Sequence, residues 1–214
     1  MHVPMRKLAL TAAAAAFALA STSGASVSAK PAPSDVRVEV LTPRGGDNAG
    51  IGGRGWIVDL AVDYPSLHAA GFSGLQLTGP AAHNNTAPFP GTFSPGRDDR
   101  LPGLVVLVST TSAFSGPGTN LANLFNVTGV TNRDEDVAQV WDNWVVGAPL
   151  FGVDTESVLT VAVVDDLDGN GVYDDAPNVV PDANHDGRVD EDDLKQIGIA
   201  SNVEEVRFRI NGSA

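Results

Sequence analysis

The chain has 214 residues and a formal net charge of −13 at pH 7, and it contains no cysteine. This acidic balance argues against binding to nucleic acid or to anionic membranes, because both repel negative charge. The absence of cysteine excludes disulfide bonds and any metal site built on thiolates.

The first 29 residues have the pattern of a secretory signal peptide. Arg6 and Lys7 precede the apolar run 8–20, and small residues then lead to a predicted cleavage after Ala29. A retained membrane anchor is the alternative, but this run is shorter than the roughly 20 residues that a bilayer requires. We expect an exported, bacterial protein that is periplasmic, at the cell surface or secreted. Its mature part, residues 30–214, is expected to be one domain without a membrane span.

Short apolar runs, separated by Gly, Pro, Asn and Asp, follow one another along the mature chain. In chain order the predicted strands are Val36–Leu41, Trp56–Val62, Gly74–Leu77, Leu104–Ser109, Leu124–Val130, Val137–Val146, Val158–Val164 and Val203–Ile210. No amphipathic helix of normal length is evident. This spacing is typical of an antiparallel β-sandwich, and we expect an all-β, immunoglobulin-like fold.

The segment Asp182–Asp193 places oxygen-bearing groups at alternate positions of a loop that contains glycine. Positions 1, 3, 5, 7, 9 and 12 are Asp182, Asn184, Asp186, Arg188, Asp190 and Asp193, with Arg188 contributing its backbone carbonyl. Calcium is a hard cation that takes six to eight oxygen ligands, and alternate groups of a curled loop converge on one point. Gly187 permits the positive φ of the sharp turn. The sequence therefore predicts a calcium site here.

This segment resembles an EF-hand loop, and more closely its dockerin-type variant. In that variant the twelfth ligand is Asp and the next residue is Leu, as in Asp193–Leu194. The resemblance covers about 20 residues and implies one bound Ca²⁺ ion. A short exit helix over Asp190–Ile197, ended by Gly198, is expected to follow. A complete dockerin has two full loops with a helix between them, and this chain departs from that pattern.

A shorter copy of the pattern comes 16 residues earlier and completes the predicted calcium insert, residues 165–198. Positions 1, 3, 5, 7 and 9 of this copy are Asp166, Asp168, Asn170, Val172 (through its carbonyl) and Asp174. Position 12 is Pro177, which cannot ligate through its side chain, so Asp175 is a candidate substitute, and sharing of ligands between the loops is another solution. A glycine-rich hairpin turn without an ion is the alternative interpretation. One calcium ion is thus expected, and a second is left open.

The sequence contains no coherent catalytic set, and the first functional hypothesis is a non-catalytic extracellular module stabilised by calcium. Its partner would be an unidentified extracellular protein or glycan. A carbohydrate-binding module is an alternative, since Trp141 and Trp144 would point to opposite faces of a strand and one of them would face outward. A secreted hydrolase with structural calcium is another, and it would use His83 and Asp98.

Overall fold

The computed structural model describes residues 35–53, 55–71, 101–109, 116–134, 137–146 and 153–211. All of them belong to one compact unit, Pro33–Ala214. The predicted signal peptide, the predicted strand Gly74–Leu77, and both His83 and Asp98 lie outside the described residues. Within the described ranges, no helix has the length and apolar character that crossing a membrane requires.

The described chain is mostly β-strand, which confirms the all-β prediction, and it contains one short α-helix. The strands are β1 (Arg37–Thr42), β2 (Asn48–Ala49), β3 (Trp56–Tyr64), β4 (Leu104–Val108), β5 (Asn126–Asp134), β6 (Val137–Val146), β7 (Thr155–Val163) and β8 (Glu204–Ile210). The helix α1 (Glu191–Ile197) lies between β7 and β8, and short 3-10 turns occur at Ile51–Gly53 and Leu121–Leu124.

The strands form two sheets of four. The first sheet has the order β1-β3-β6-β5 and the second has the order β2-β8-β7-β4. Neighbouring strands are antiparallel except for the two-residue parallel pairing of β2 with β8. The longest ladder joins β3 to β6 and runs from Trp56 opposite Val146 to Tyr64 opposite Ala138.

The facing sides of the two sheets share one apolar core. Alternate residues of β3 and β7 are fully buried there, because successive side chains of a strand point to opposite faces. The central members are Val58, Leu60, Val62, Leu159, Val161 and Val163. Each such side chain stabilises the fold by about 1.5–3 kcal/mol through burial. The Trp56 ring, with its centroid 5.2 Å from that of Phe208, joins strands of the two sheets.

A second apolar cluster lies on the opposite face of the second sheet. The sheet contributes Val105, Leu107, Ala162 and Val164, and the segment that connects β7 to β8 contributes Val180 and Leu194. All six side chains are buried. This outer core explains why β4 and β7 are nearly continuous apolar runs, since both of their faces are covered.

Asn120 covers the free edge of β4 with its side-chain amide. Its Oδ1 accepts a hydrogen bond from the Val106 N–H at 3.0 Å, and its Nδ2 donates to the Leu104 carbonyl at 3.0 Å. The same Nδ2 donates to the Pro177 carbonyl at 3.1 Å. One amide thus substitutes for a neighbouring strand and also attaches the β7–β8 connection to the sheet.

Candidate metal centre

The helix α1 begins and ends where its capping residues require. Asp190 is the N-cap, and its Oδ1 accepts from the Asp192 N–H at 3.1 Å. The Asp193 carboxylate in turn accepts a hydrogen bond from the Asp190 N–H at 3.0 Å, and the two bonds together form a capping box. Gly198, at φ 106°, ends the helix. The observed helix matches the expected one, and Leu194 faces the outer core.

The second acidic loop, Asp182–Asp193, is closed by hydrogen bonds from backbone N–H groups to its own side-chain oxygens. Asp182 accepts from the N–H groups of Asp186 and Gly187, at 3.1 and 2.9 Å. Asn184 Oδ1 accepts from the Asp186 N–H at 2.9 Å, and Asp186 Oδ1 accepts from the Arg188 N–H at 2.8 Å. These bonds turn the loop inward around its oxygen-bearing side chains.

Asp193 closes the second loop from the helix side. This carboxylate is fully buried. Its Oδ1 accepts from the N–H groups of Ala183 and Asn184, at 2.7 and 3.4 Å. Together with the bond from the Asp190 N–H, these contacts join both ends of the loop through one side chain.

The first acidic loop, residues 166–175, repeats this arrangement at its beginning. Asp166 accepts from the N–H groups of Asn170 and Gly171, at 3.0 and 2.7 Å. Asp168 Oδ1 accepts from the Asn170 N–H at 3.0 Å, and Asn170 Oδ1 accepts from the Val172 N–H at 2.7 Å. Positions 1, 3 and 5 of the two loops therefore bond to the N–H groups of the same positions, 5, 6 and 7.

The two loops also share their backbone turns. Positions 4 and 6 have positive φ in both: 74° and 85° at Gly169 and Gly171, and 60° and 84° at His185 and Gly187. His185 is the only one of these four residues that is not glycine, and residues other than glycine seldom adopt a positive φ. Both segments thus have the same local fold even though the first is two residues shorter before its closing carboxylate.

Asp175 is the closing carboxylate of the first loop. Its Oδ2 accepts from the N–H groups of Leu167 and Asp168, at 2.7 and 3.1 Å. With Asp166 and Asp168 it forms a triad in which each residue places one carboxylate oxygen within 4.8 Å of the others. This triad could hold a metal ion. Asp174, predicted at position 9, is exposed and outside the triad.

The second loop yields no comparable carboxylate triad among the residues that the structure describes. Its third position is Asn184, whose ligand atom would be an amide oxygen. Asp182, Asn184, Asp186 and Asp193 are all joined by the loop's hydrogen bonds, whereas Asp190 serves as the helix N-cap. Each loop thus combines three carboxylates with one amide, and the loops differ in where the amide stands: at position 5 in the first (Asn170) and at position 3 in the second (Asn184).

Asp166 accepts hydrogen bonds from several backbone N–H groups of the first loop. The N–H of Gly171 in first place, helped by those of Asn170 and Gly169, holds the pKa of the Asp166 carboxyl below its ordinary value. Donation by backbone N–H groups stabilises the ionised form of a carboxyl group. The same group is therefore kept in the charged state that a metal ligand needs.

Tyr173 joins the first loop to the apolar core that lies between the two sheets, which we call the inner core. The Tyr173 N–H donates to the Ala69 carbonyl at 2.8 Å, and its ring centroid lies 6.2 Å from that of Tyr64. Gly103 faces the Tyr173 carbonyl so closely that an added Cβ would collide with it. The position of this loop is thus linked to the segments that flank β3 and β4.

The tryptophans predicted to face opposite ways do so. Trp144 packs against the inner core, with its ring centroid 5.8 Å from that of Phe125. Trp141 lies on the other face of β6, opposite Ala61 of β3. Ala61 and Gln139, which share that face, are buried. Trp141 itself is half-buried, and Ile57 on the same face of β3 is 47% exposed.

Comparison of the chain with family models, with curated proteins and with solved structures found no match. The function is therefore inferred from the geometry of the two loops and from the topology of the sheets.

Proposed function

We propose that the protein is an exported calcium-binding β-sandwich protein that acts as a non-catalytic extracellular binding or structural module. The observation that carries the proposal is the Asp166, Asp168 and Asp175 triad, set in a loop whose hydrogen bonds are repeated in Asp182–Asp193. Because the two loops have the same pattern of hydrogen bonds, we infer that both bind the same kind of cation.

The donor sets favour a hard cation. Both loops offer carboxylate and amide oxygens, with no thiolate or histidine nitrogen among the groups that face inward. Ca²⁺ takes six to eight such oxygens in flexible geometry, whereas Mg²⁺ demands near-ideal octahedral sites and retains several waters. Loops of this kind, closed by backbone N–H groups, suit the flexible coordination of Ca²⁺ better than the octahedral coordination of Mg²⁺.

The charge of the insert supports the same conclusion. Residues 165–193 contain 11 acidic side chains and a single cationic one, Arg188. Carboxylates held within a few ångströms of each other repel, and a divalent cation converts that repulsion into attraction. Calcium at extracellular modules binds with Kd of about 10⁻⁴–10⁻³ M, which matches an exported location.

Calcium in these loops would stabilise the outer core. Val189 of the second loop and Leu194 of α1 pack on the second sheet, so the ion fixes the segment that covers Val105, Leu107 and Ala162. A ligand that binds only the folded state raises stability by RT ln(1 + [L]/Kd), about 2.7 kcal/mol at 100 times Kd. Calcium thereby takes a stabilising role that disulfides fill in many exported proteins.

The sheet topology supports an immunoglobulin-like sandwich. The orders β1-β3-β6-β5 and β8-β7-β4 correspond to strands ABED and GFC of that fold. On this reading the acidic insert occupies the F–G connection, between β7 and β8. Loops at that end of immunoglobulin-like domains often carry binding residues. The position is consistent with a binding module, and calcium would set its conformation.

The proposal is tested by thermal unfolding of the chelator-treated protein with added calcium or magnesium. We expect millimolar calcium to raise the melting temperature by several degrees, and magnesium to act more weakly. The double variant Asp166→Asn, Asp182→Asn is the comparison, because it keeps the side-chain shapes, removes one negative charge per loop and leaves one of the two accepting oxygens at each position. An equal response of both proteins to calcium would refute the assignment of the loops.

A further inference from the structure

Strand β4 lies at an edge of the second sheet and consists only of Leu and Val residues. Its sequence, LVVLV, is uncharged in a chain of net charge −13, and all five residues are buried. Segments of this kind, with high β-propensity, no charge and no Pro, pair readily with other strands when their edge is exposed. The fold therefore has to keep the free edge of β4 covered.

The connection between β7 and β8 covers β4 on its outer face. Val105 and Leu107 of β4 belong to the outer core, where they are buried together with Val180 and Leu194 of the connection. We call residues 177–194 of this connection the cover. Without the cover, these two side chains of β4 would be exposed to solvent.

The cover also holds the segment that protects the edge of β4. The Val180 N–H donates to the Gly118 carbonyl at 2.8 Å, and the Asn120 N–H donates to the Asn178 carbonyl at 3.0 Å. The Asn120 side chain in turn binds the edge of β4. Residues 118–120 thus lie between the cover and the edge, so opening of the cover removes the bonds that hold them from one side.

The cover is attached less firmly than the strands beneath it. It contains six acidic side chains and a single cationic one, Arg188. Three of its apolar side chains, Val180, Val189 and Leu194, pack on the second sheet, and none of its residues belongs to the inner core. A segment with few buried apolar contacts opens at a lower free energy than the whole domain. The cover can therefore open while the sandwich stays folded.

We propose that the cover prevents β4 from pairing with β4 of a second copy of the chain. When the cover opens, the edge and the outer face of β4 are exposed together, and two uncharged strands of identical sequence meet without charge repulsion. The second acidic loop lies within the cover, so bound calcium would favour the closed state. That effect of calcium rests on the proposed function, whereas the protection of β4 by the cover does not.

The test opens the cover without changing any proposed calcium ligand. Gly118 has a φ of 74°, and a Cβ added there would collide with the Val180 carbonyl of the cover. Gly116 has a φ of 92°, and the nearest atom to an added Cβ is the Thr119 hydroxyl oxygen at 4.0 Å. Gly116→Ala is therefore the matched control, because both variants strain the backbone but only Gly118→Ala displaces the cover.

Light scattering coupled to size exclusion measures the molar mass of the full chain over a range of protein concentrations, in calcium and in chelator. We expect Gly118→Ala to self-associate at roughly tenfold lower concentration than Gly116→Ala, which should behave like wild type. Adding Val105→Lys to Gly118→Ala should restore the behaviour of the control, because like charges on paired strands repel. Wild type should associate more readily in chelator than in calcium.

Hydrogen exchange of the wild-type chain gives a second measurement that needs no variant. The N–H groups of Val106, Asn120 and Val180 should exchange together, and faster than those of β7, which lies between two strands. The inference is overturned if these groups exchange only at the rate of β7, if the two glycine variants associate equally, or if association persists with Val105→Lys. Loss of the calcium effect alone, with the difference between the glycine variants kept, would support the cover and count against the proposed function.

Discussion

Asp175 and Asp193 hold equivalent places in the two acidic loops. Each carboxylate accepts hydrogen bonds from the N–H groups of the second and third residues of its own loop, at 2.7 and 3.1 Å for Asp175 and at 2.7 and 3.4 Å for Asp193. They differ in loop position, since Asp175 is tenth and Asp193 is twelfth. The shorter loop therefore closes without a helix, and its proline at position 12 is not needed as a ligand.

Asp175→Asn is expected to abolish calcium binding at the first loop. The substitution keeps an acceptor for the Leu167 N–H but removes one of three negative charges from the triad. Calorimetric titration should then show one site fewer than the wild-type protein. Asp174→Asn is the matched control, because its exposed side chain lies outside the triad and the number of sites should not change. The opposite result for the pair would make Asp174 the ligand.

Leu194→Ala is expected to lower the free energy of unfolding by about 2–5 kcal/mol, the usual cost of a cavity at a buried leucine. Leu194 is fully buried in the outer core, against side chains of the second sheet. Urea denaturation in saturating calcium measures the change. Val153→Ala, at a side chain that is 67% exposed, should remain within about 0.5 kcal/mol of wild type. A small effect at Leu194 would mean that the insert contributes little to stability.

Asn120→Ala is expected to lower the free energy of unfolding by about 2–3 kcal/mol, because it leaves the Val106 N–H and the Leu104 carbonyl without their partner. The same change detaches the amide from the Pro177 carbonyl. Asn123→Ala serves as the comparison, since its exposed amide has one 3.3 Å contact to Asn178. Denaturation curves that shift equally for both variants would contradict the role assigned to Asn120.

Asp166 is expected to titrate below its ordinary pKa of 3.8 in the folded, metal-free protein, since backbone N–H groups stabilise its ionised form. A depressed folded-state pKa means that the ionised carboxylate favours the folded state above pH 3.8, and this contribution is lost as the pH falls below that value. Carbon-13 NMR of the Asp166 carboxyl group measures the inflection directly. An inflection at or above 3.8 would contradict the hydrogen-bond pattern described for Gly171 and its neighbours.

Much of the strand order along the chain is predictable from local pattern. Alternation in Val36–Leu41 and continuous apolar runs at Leu104–Ser109 and Val158–Val164 correspond to β1, β4 and β7. The exit helix follows from Asp190 and Gly198, whose capping preferences are local. The short strand β2 is not predictable this way, because a two-residue pairing depends on β8, distant in sequence.

The site is less fully predictable, because the first loop closes with a carboxylate at its tenth position instead of the twelfth. The EF-hand template indicates ligands in Asp182–Asp193, but it counts Pro177 as position 12 of the first loop and leaves the role of Asp175 open. Asn120 is likewise an ordinary loop residue until the edge of β4 is known.

Calorimetric titration of the chelator-treated full chain with calcium measures directly whether the two acidic loops bind the ion. We expect two sites in wild type, one in each of the single variants Asp166→Asn and Asp182→Asn, and none when the two substitutions are combined. Absence of a binding heat up to ~10 mM calcium, well above the usual extracellular range, together with an unchanged melting temperature, would contradict it. The two acidic loops would then be turns closed by their own hydrogen bonds.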